Sequence, residues 1–275
     1  MIGANTAARF AAPVVNAVNA LRMRHLGLSR PVSRGTFLAT LEGGDMLEIG
    51  PFDRPVMQGQ KVSYFDVLDT QGLKKRAAEL GRSPEGVPQI HYHSPTGDLS
   101  VVDRQFEAVL SCHAIEHQPD LIAHLKTVES LLVPGGKYYV IAPDKRFSFD
   151  YFQPLSTLEE VLIAHKSGKT VHSRSDVLAH TFETTHNSAF RHWLGLHGRP
   201  GIAVDDAARA LAEEQAADAD RGVYVDVHAW IFSPRRFYEL VAKLRSAGLI
   251  ALDIVDVHET GFAELEFFAV LQKSE

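Results

Sequence analysis

A single cysteine, Cys112, stands in a chain of 275 residues. An intramolecular disulfide is therefore excluded, and a reducing, cytoplasmic setting is the natural expectation. Positive charge is not in excess: 28 Lys and Arg stand against 34 Asp and Glu, a net charge of -6. That argues against a nucleic-acid binder working through a broadly basic surface. The chain has no run of about 18 apolar residues, so no membrane span is expected. The apolar stretch from Phe10 to Val18 is interrupted by Asn16, flanked by Arg9 and Asn19, and lacks the order of a cleaved leader. Repeats and long low-complexity tracts are absent as well. Hydrophobic residues at 45% and charged residues at 23% are globular values, sufficient for one large domain or a core with an insertion.

The organisation follows from periodicity. Residues 1–44 read as an N-terminal helical extension, because Thr6 to Leu26 has amphipathic spacing and ends in Arg22, Arg24 and His25. Packing on the core or on a partner subunit, hence a homodimer, is the plain reading, and a membrane surface is the alternative. From residue 45 to 146 short β-rich runs alternate with helical segments. Candidate strands are Asp45–Ile49, Lys61–Phe65, Gln89–Tyr92, Phe106–Ser111 and Lys137–Ala142, and the clearest helix is Pro119–Leu132, stopped by Pro134-Gly135-Gly136. Such alternation predicts an α/β fold with a mostly parallel sheet and helices on both faces. Residues 231–275 continue it: Ser233-Pro234 opens a helix that Gly248 closes, and Leu249–Val257 and Leu265–Leu271 form an antiparallel pair. Residues 147–230 do not fit the alternation and read as an insertion after the fifth strand, a lid over an acceptor.

Three stretches carry the chemistry. Met46-Leu47-Glu48-Ile49-Gly50-Pro51 is a buried strand that delivers a carboxylate and a bare backbone turn to the carboxyl edge of a sheet, where open α/β folds bind ligands. Tyr64-Phe65-Asp66 ends the second strand. Leu110-Ser111-Cys112-His113-Ala114-Ile115-Glu116-His117 follows the fourth, with Leu132-Val133-Pro134-Gly135-Gly136 after the next helix. Together, over residues 44–143 and again from Ser233 onward, these resemble the class I S-adenosylmethionine (SAM)-dependent methyltransferases. The resemblance implies a Rossmann-like, seven-stranded sheet with an antiparallel last strand, and SAM as cofactor. The usual loop after the first strand has further glycines, whereas here Gly50-Pro51-Phe52-Asp53-Arg54-Pro55 is stiffer and bulkier. A nicotinamide dehydrogenase would want three glycines at that turn and finds only Gly50.

The site expectations follow. Gly50 and Pro51 give close backbone approach, and Glu48 accepts from the ligand's amino group or from the turn. Asp66 takes the ribose hydroxyls, in the manner of the acidic residue beyond the glycine turn of dinucleotide folds, with Asp69 as rival. Asp98 and Leu99 hold the adenine edge, with Asp103 as rival to Asp98, and Ser111 and His113 close over the ligand. Methyl transfer to a hydroxyl needs alignment and a base, for which histidine suits neutral pH. His228, on one face of an expected strand with Asp226 and Trp230, is the first candidate, His186 the second, and Asp144 a further polar group at the edge. No metal site is expected, because His91/His93 and His113/His117 lack an obvious third ligand, although Asp144 could assist a magnesium ion. The segments Ile141–Asp150 and Asp226–Phe232 resemble bacterial methyltransferases associated with glycan and cell-surface polysaccharide assembly, which implies O-methylation of a sugar or other small polar hydroxyl. The alternatives are a small-molecule or natural-product O- or N-methyltransferase, or a non-catalytic SAM-binding scaffold.

Overall fold

The computed structural model describes residues 27–202 and 204–275. The expected N-terminal helix from Thr6 to Leu26 lies outside the described residues. Seven strands form one sheet: β1 (Met46–Ile49), β2 (Val62–Asp66), β3 (Tyr92–His93), β4 (Phe106–Cys112), β5 (Leu132–Pro143), β6 (Leu252–His258) and β7 (Glu266–Lys273). Their spatial order is β3-β2-β1-β4-β5-β7-β6. Strands β1 to β5 pair in parallel, whereas β7 runs antiparallel between β5 and β6. This is the mostly parallel α/β sheet expected from the alternation, with the antiparallel hairpin at its end.

Burial explains the strand compositions. In β4, Ala108, Val109 and Leu110 are all fully buried, so neither face sees water and the strand reads as a continuous apolar run. One face packs against α3 (Leu121–Leu131), α4 (Leu158–Ser167) and α8 (Pro234–Ser246), through Leu125, Val161 and Leu240 among others. The other meets Phe37 of the short helix α1 (Arg34–Leu38) and Met57. Helix α2 (Thr70–Glu79) follows β2 and has its own small cluster around Leu73 and Ala77. Ser233 caps α8 by accepting from the Arg236 amide, and Pro234 occupies its first turn, as expected.

Among the boundaries that differ from expectation, two have clear local reasons. Strand β3 is only two residues long, because Ile90 donates its amide to Thr70 Oγ1 and the His91 ring accepts the Tyr64 amide, both in place of ladder bonds. Strand β5 begins at Leu132 rather than Lys137. Its Pro134-Gly135-Gly136 stretch makes a register shift against β4 rather than a separate turn, with Gly135 at a φ of 75°.

Residues 147–230 contribute α4, α5 (Arg174–Phe182), α6 (Ala189–Trp193) and α7 (Asp206–Asp220). Helix α4 joins the main core through Val161 and Ala164. Helices α5 and α7 instead build a separate cluster in which Val177, Ala216 and Ala219 enclose Val225 and Val227. No described helix is long and apolar enough to cross a membrane.

Beneath the sheet edge a buried hydroxyl chain ties β4 to α3: Tyr138 Oη lies 2.7 Å from Ser111 Oγ and 2.9 Å from His124 Nε2. Burial pushes His124 down to about 3, so its ring stays neutral. Tyr138→Phe should lower unfolding stability by about 1–3 kcal/mol, since both partners lose a buried hydrogen bond. Urea unfolding followed by circular dichroism checks this.

Candidate functional site

The chain leaves β1, runs outward through β2 and β3, and returns to the other side of β1 as β4. The crevice therefore opens between the ends of β1 and β4, where the strand order reverses. A cavity of about 600 Å³ lies there, within the range that holds cofactor-sized ligands. Its walls come from the turn after β1 (Gly50, Phe52), the end of β2 and the start of the next loop (Asp66, Val67, Leu68), helix α2, Gly97, the turn after β4 (His113, Ala114, His117, Gln118), and Tyr224 and Asp226 from the inserted segment.

The β1 turn has a left-handed backbone at two residues. Gly50 sits at a φ of 74°, and an added Cβ would meet Ala114 Cβ at 3.3 Å. Phe52 adopts a φ of 43° despite its side chain. That conformation directs its amide to Asp66 Oδ2 at 3.3 Å, and Arg82 covers its ring. The stiff loop thus reaches left-handed geometry with one glycine and one strained phenylalanine. Glu48 lies below the loop and is fully buried, its two oxygens accepting from the Val56 and Met57 amides at 2.7 and 2.8 Å. Burial raises it to about 7 against those bonds. Of the two partners considered for Glu48, the loop backbone is the one it holds.

Asp66 opens into the cavity while Val67 and Phe52 amides bind its oxygens. Burial raises its carboxyl to about 6, with those amides opposing the shift. Asp69 instead caps α2 by accepting from the Gly72 amide, and Asp103 accepts from the Tyr92 hydroxyl. Asp98 is exposed and bonded to Ser100. With Leu99 it lines a smaller neighbouring cavity of about 190 Å³ that shares Gly97 and Gln118 with the first. Pro51 is buried behind the turn and Ser111 is enclosed in the sheet on Tyr138; neither lines the cavity. Ser111 is still inside the strand ladder, paired with Ile49 and Val140, one residue short of the exit.

His113 does line the cavity, at a φ of 51°, with Nε2 on Glu266 at 2.9 Å. Burial lowers its pKa, but Glu266 and Glu116 outweigh that and leave it raised. His117 sits beside it. Burial again opposes charge, yet Asp226, 2.9 Å from Nδ1, lifts His117 to about 9. Asp226 itself is held well below the carboxylate range: burial would raise it, but His117 and the Tyr224 hydroxyl prevail.

The three catalytic candidates part company. His228 is buried directly behind His117, ring centroids 4.7 Å apart, with Nδ1 on Asp150 at 2.8 Å and Nε2 3.9 Å from Glu116. His186 is half-buried, bonded to the Leu196 carbonyl, and outside the cavity. Asp144 is fully buried and bound by Arg146 and by Thr260 Oγ1, which leaves no face for acceptor or magnesium. Residues 226–230 are not a strand. They form an irregular segment fastened to the β4 turn, since the Ala229 and Trp230 amides both donate to the Glu116 carbonyl and the Trp230 indole donates to Gln118. Asp226, His228 and Trp230 nonetheless converge on that turn. Glu116, Asp150 and Tyr224 were not singled out from the sequence, and His117 was weighed only with His113 as a metal pair lacking a third ligand. The signal for Glu116 was its place inside the quoted His113–His117 stretch.

No family model matches the chain, and no curated protein does. Similar solved structures include a SAM-dependent methyltransferase from Methanosarcina mazei, 15% identical, with 88% of this chain and 98% of that one covered and a TM-score of 0.42. A second, a SAM-dependent methyltransferase from Mesorhizobium loti, is 13% identical over 87% and 96% of the two chains, with a TM-score of 0.42. An N-methyltransferase from Bradyrhizobium japonicum is 10% identical over 94% and 96%, with a TM-score of 0.35.

Gly50→Ala should destabilise the chain by about 1–2 kcal/mol, because the left-handed turn and the Ala114 contact both resist a Cβ. Thermal unfolding of the variant beside the wild type measures it.

Proposed function

We propose that the protein is a SAM-dependent methyltransferase that methylates a hydroxyl of a sugar or another small polar acceptor. The observation that carries this reading is Asp66. Its buried carboxylate opens into the cavity beside the bare Gly50 turn, where a ribose diol needs an acceptor and the backbone must come close. Tyr224, Asp226 and His117 offer a polar rim on the side of the inserted segment, a fitting place for a hydroxyl-bearing acceptor.

Chemically, the acceptor oxygen attacks the methyl carbon, the carbon–sulfur pair returns to sulfur, and the hydroxyl proton must leave. His228, held by Asp150 and packed behind His117, is the histidine we assign to promoting that deprotonation, through His117 rather than by touching the acceptor. The Asp150 bond fixes Nδ1 and leaves Nε2 turned toward Glu116.

Titration calorimetry with S-adenosylhomocysteine, with NAD as control, tests the cofactor. Micromolar binding of the first alone is expected, and binding of NAD alone would end the reading. Asp66→Ala should weaken binding about 10- to 100-fold through lost charge-assisted hydrogen bonds. Since Asp66 must be ionised to accept from both hydroxyls, affinity should be flat above pH 7 and fall by up to about tenfold per unit below pH 6. His228→Ala should cut turnover at least about 100-fold with S-adenosylhomocysteine affinity near wild type. Full activity in that variant would remove His228 from the chemistry.

A further inference from the structure

We infer that Glu116, His117 and His228 form a binding site for a divalent transition-metal ion, such as zinc or manganese, at the inner wall of the cofactor cavity. One potential ligand atom from each residue lies within 4.8 Å of the others. A metal bound at about 2.0–2.2 Å holds tetrahedral ligands roughly 3.4 Å apart, so side-chain shifts of about 1 Å would close the set.

The independent observation is the state of Glu116. Its carboxylate is fully buried, and neither oxygen has a hydrogen-bond partner. A buried carboxylate in that condition is costly unless a cation stands beside it. The groups facing it are His113 Nδ1 at 3.6 Å and His228 Nε2 at 3.9 Å, both too distant for a hydrogen bond. A metal ion at this point would supply the direct contact that neither ring makes.

The outer groups fit the same assignment. Asp150 holds Nδ1 of His228, and Asp226 stands at Nδ1 of His117. A carboxylate on the far nitrogen is what orients a metal-binding imidazole and raises its basicity. Two histidines and one carboxylate leave open coordination positions, and His117 reaches the cavity wall. Sequence spacing could not reveal this, since His228 lies 111 residues beyond His117 and tertiary bonds, among them those to the Glu116 carbonyl, bring it back.

The site's role deepens the proposed function and rests on it; its existence does not. A metal there would bind the acceptor hydroxyl and lower its pKa, so that the proton leaves to water. The oxygen then attacks the methyl carbon, and the carbon–sulfur electron pair goes to sulfur. His228 would promote deprotonation as a ligand rather than as a free base.

The test is titration of chelator-treated full-length protein with zinc and with manganese, in competition with a chromophoric chelator. Wild type should take up one equivalent of at least one of them with micromolar or tighter affinity. Glu116→Gln and His228→Ala should each lose at least about 100-fold. Asp150→Asn should lose about 10- to 100-fold, and His186→Ala should bind like wild type. Binding of S-adenosylhomocysteine by each variant reports an intact fold independently. No stoichiometric uptake of either metal by wild type, or equal uptake by folded Glu116→Gln and His228→Ala, overturns the site. Cofactor binding without metal uptake would end this inference and leave the methyltransferase reading in place. Metal uptake without cofactor binding would do the reverse.

Discussion

The carbonyl of Glu116 accepts the amides of Ala229 and Trp230, at 2.7 and 3.1 Å, and the candidate site depends on that junction. It fastens the end of an insertion of some 80 residues to the turn after β4. Without it, Asp226 would not meet His117, and His228 would not lie between Asp150 and Glu116. The sheet supplies one side of the cavity by topology alone, through the ends of β1, β2 and β4. The other side, with Tyr224 and Asp226, exists because a distant segment is pinned to one of those ends. Trp230 reinforces the pin by burying its ring in the main core while its indole donates to Gln118.

The two halves were unequally legible in the sequence. Glu48, Gly50 and Asp66 announce themselves locally: each stands at the end of a short apolar run, and a parallel sheet brings such ends to one edge. Helix α8 was equally plain, because its cap and its apolar stripe are both local features. Ser111 was placed one residue too far along β4. The run Val109-Leu110-Ser111 looks like a strand end, but the ladder continues through Cys112, so the serine faces Tyr138 instead.

The side formed by the inserted segment was less readable because its contacts are tertiary. His186 and Asp144 stood behind His228 as candidates on sequence grounds alone. What separates them is Leu196 for the first and the Arg146–Thr260 cradle for the second, and neither partner is deducible from spacing. The expected strand with Asp226, His228 and Trp230 on one face is not formed; each side chain meets a different partner, His117, Asp150 and Gln118 in turn. The segment is irregular, and the three side chains converge because the Glu116 carbonyl and Asp150 hold it. Glu116 is hardest to foresee, since its significance is the lack of a hydrogen bond in the folded state.

The central claim is that Asp66 and the His117–Asp226 pair face the same bound molecule from opposite ends. A crystal structure with S-adenosylhomocysteine tests it most directly. The account predicts the ribose hydroxyls within hydrogen-bonding distance of Asp66, the adenine toward Gly97, and the sulfur turned toward His117 and Asp226. A ligand bound with Asp66 untouched, or with its sulfur turned away from the inserted segment, would contradict it.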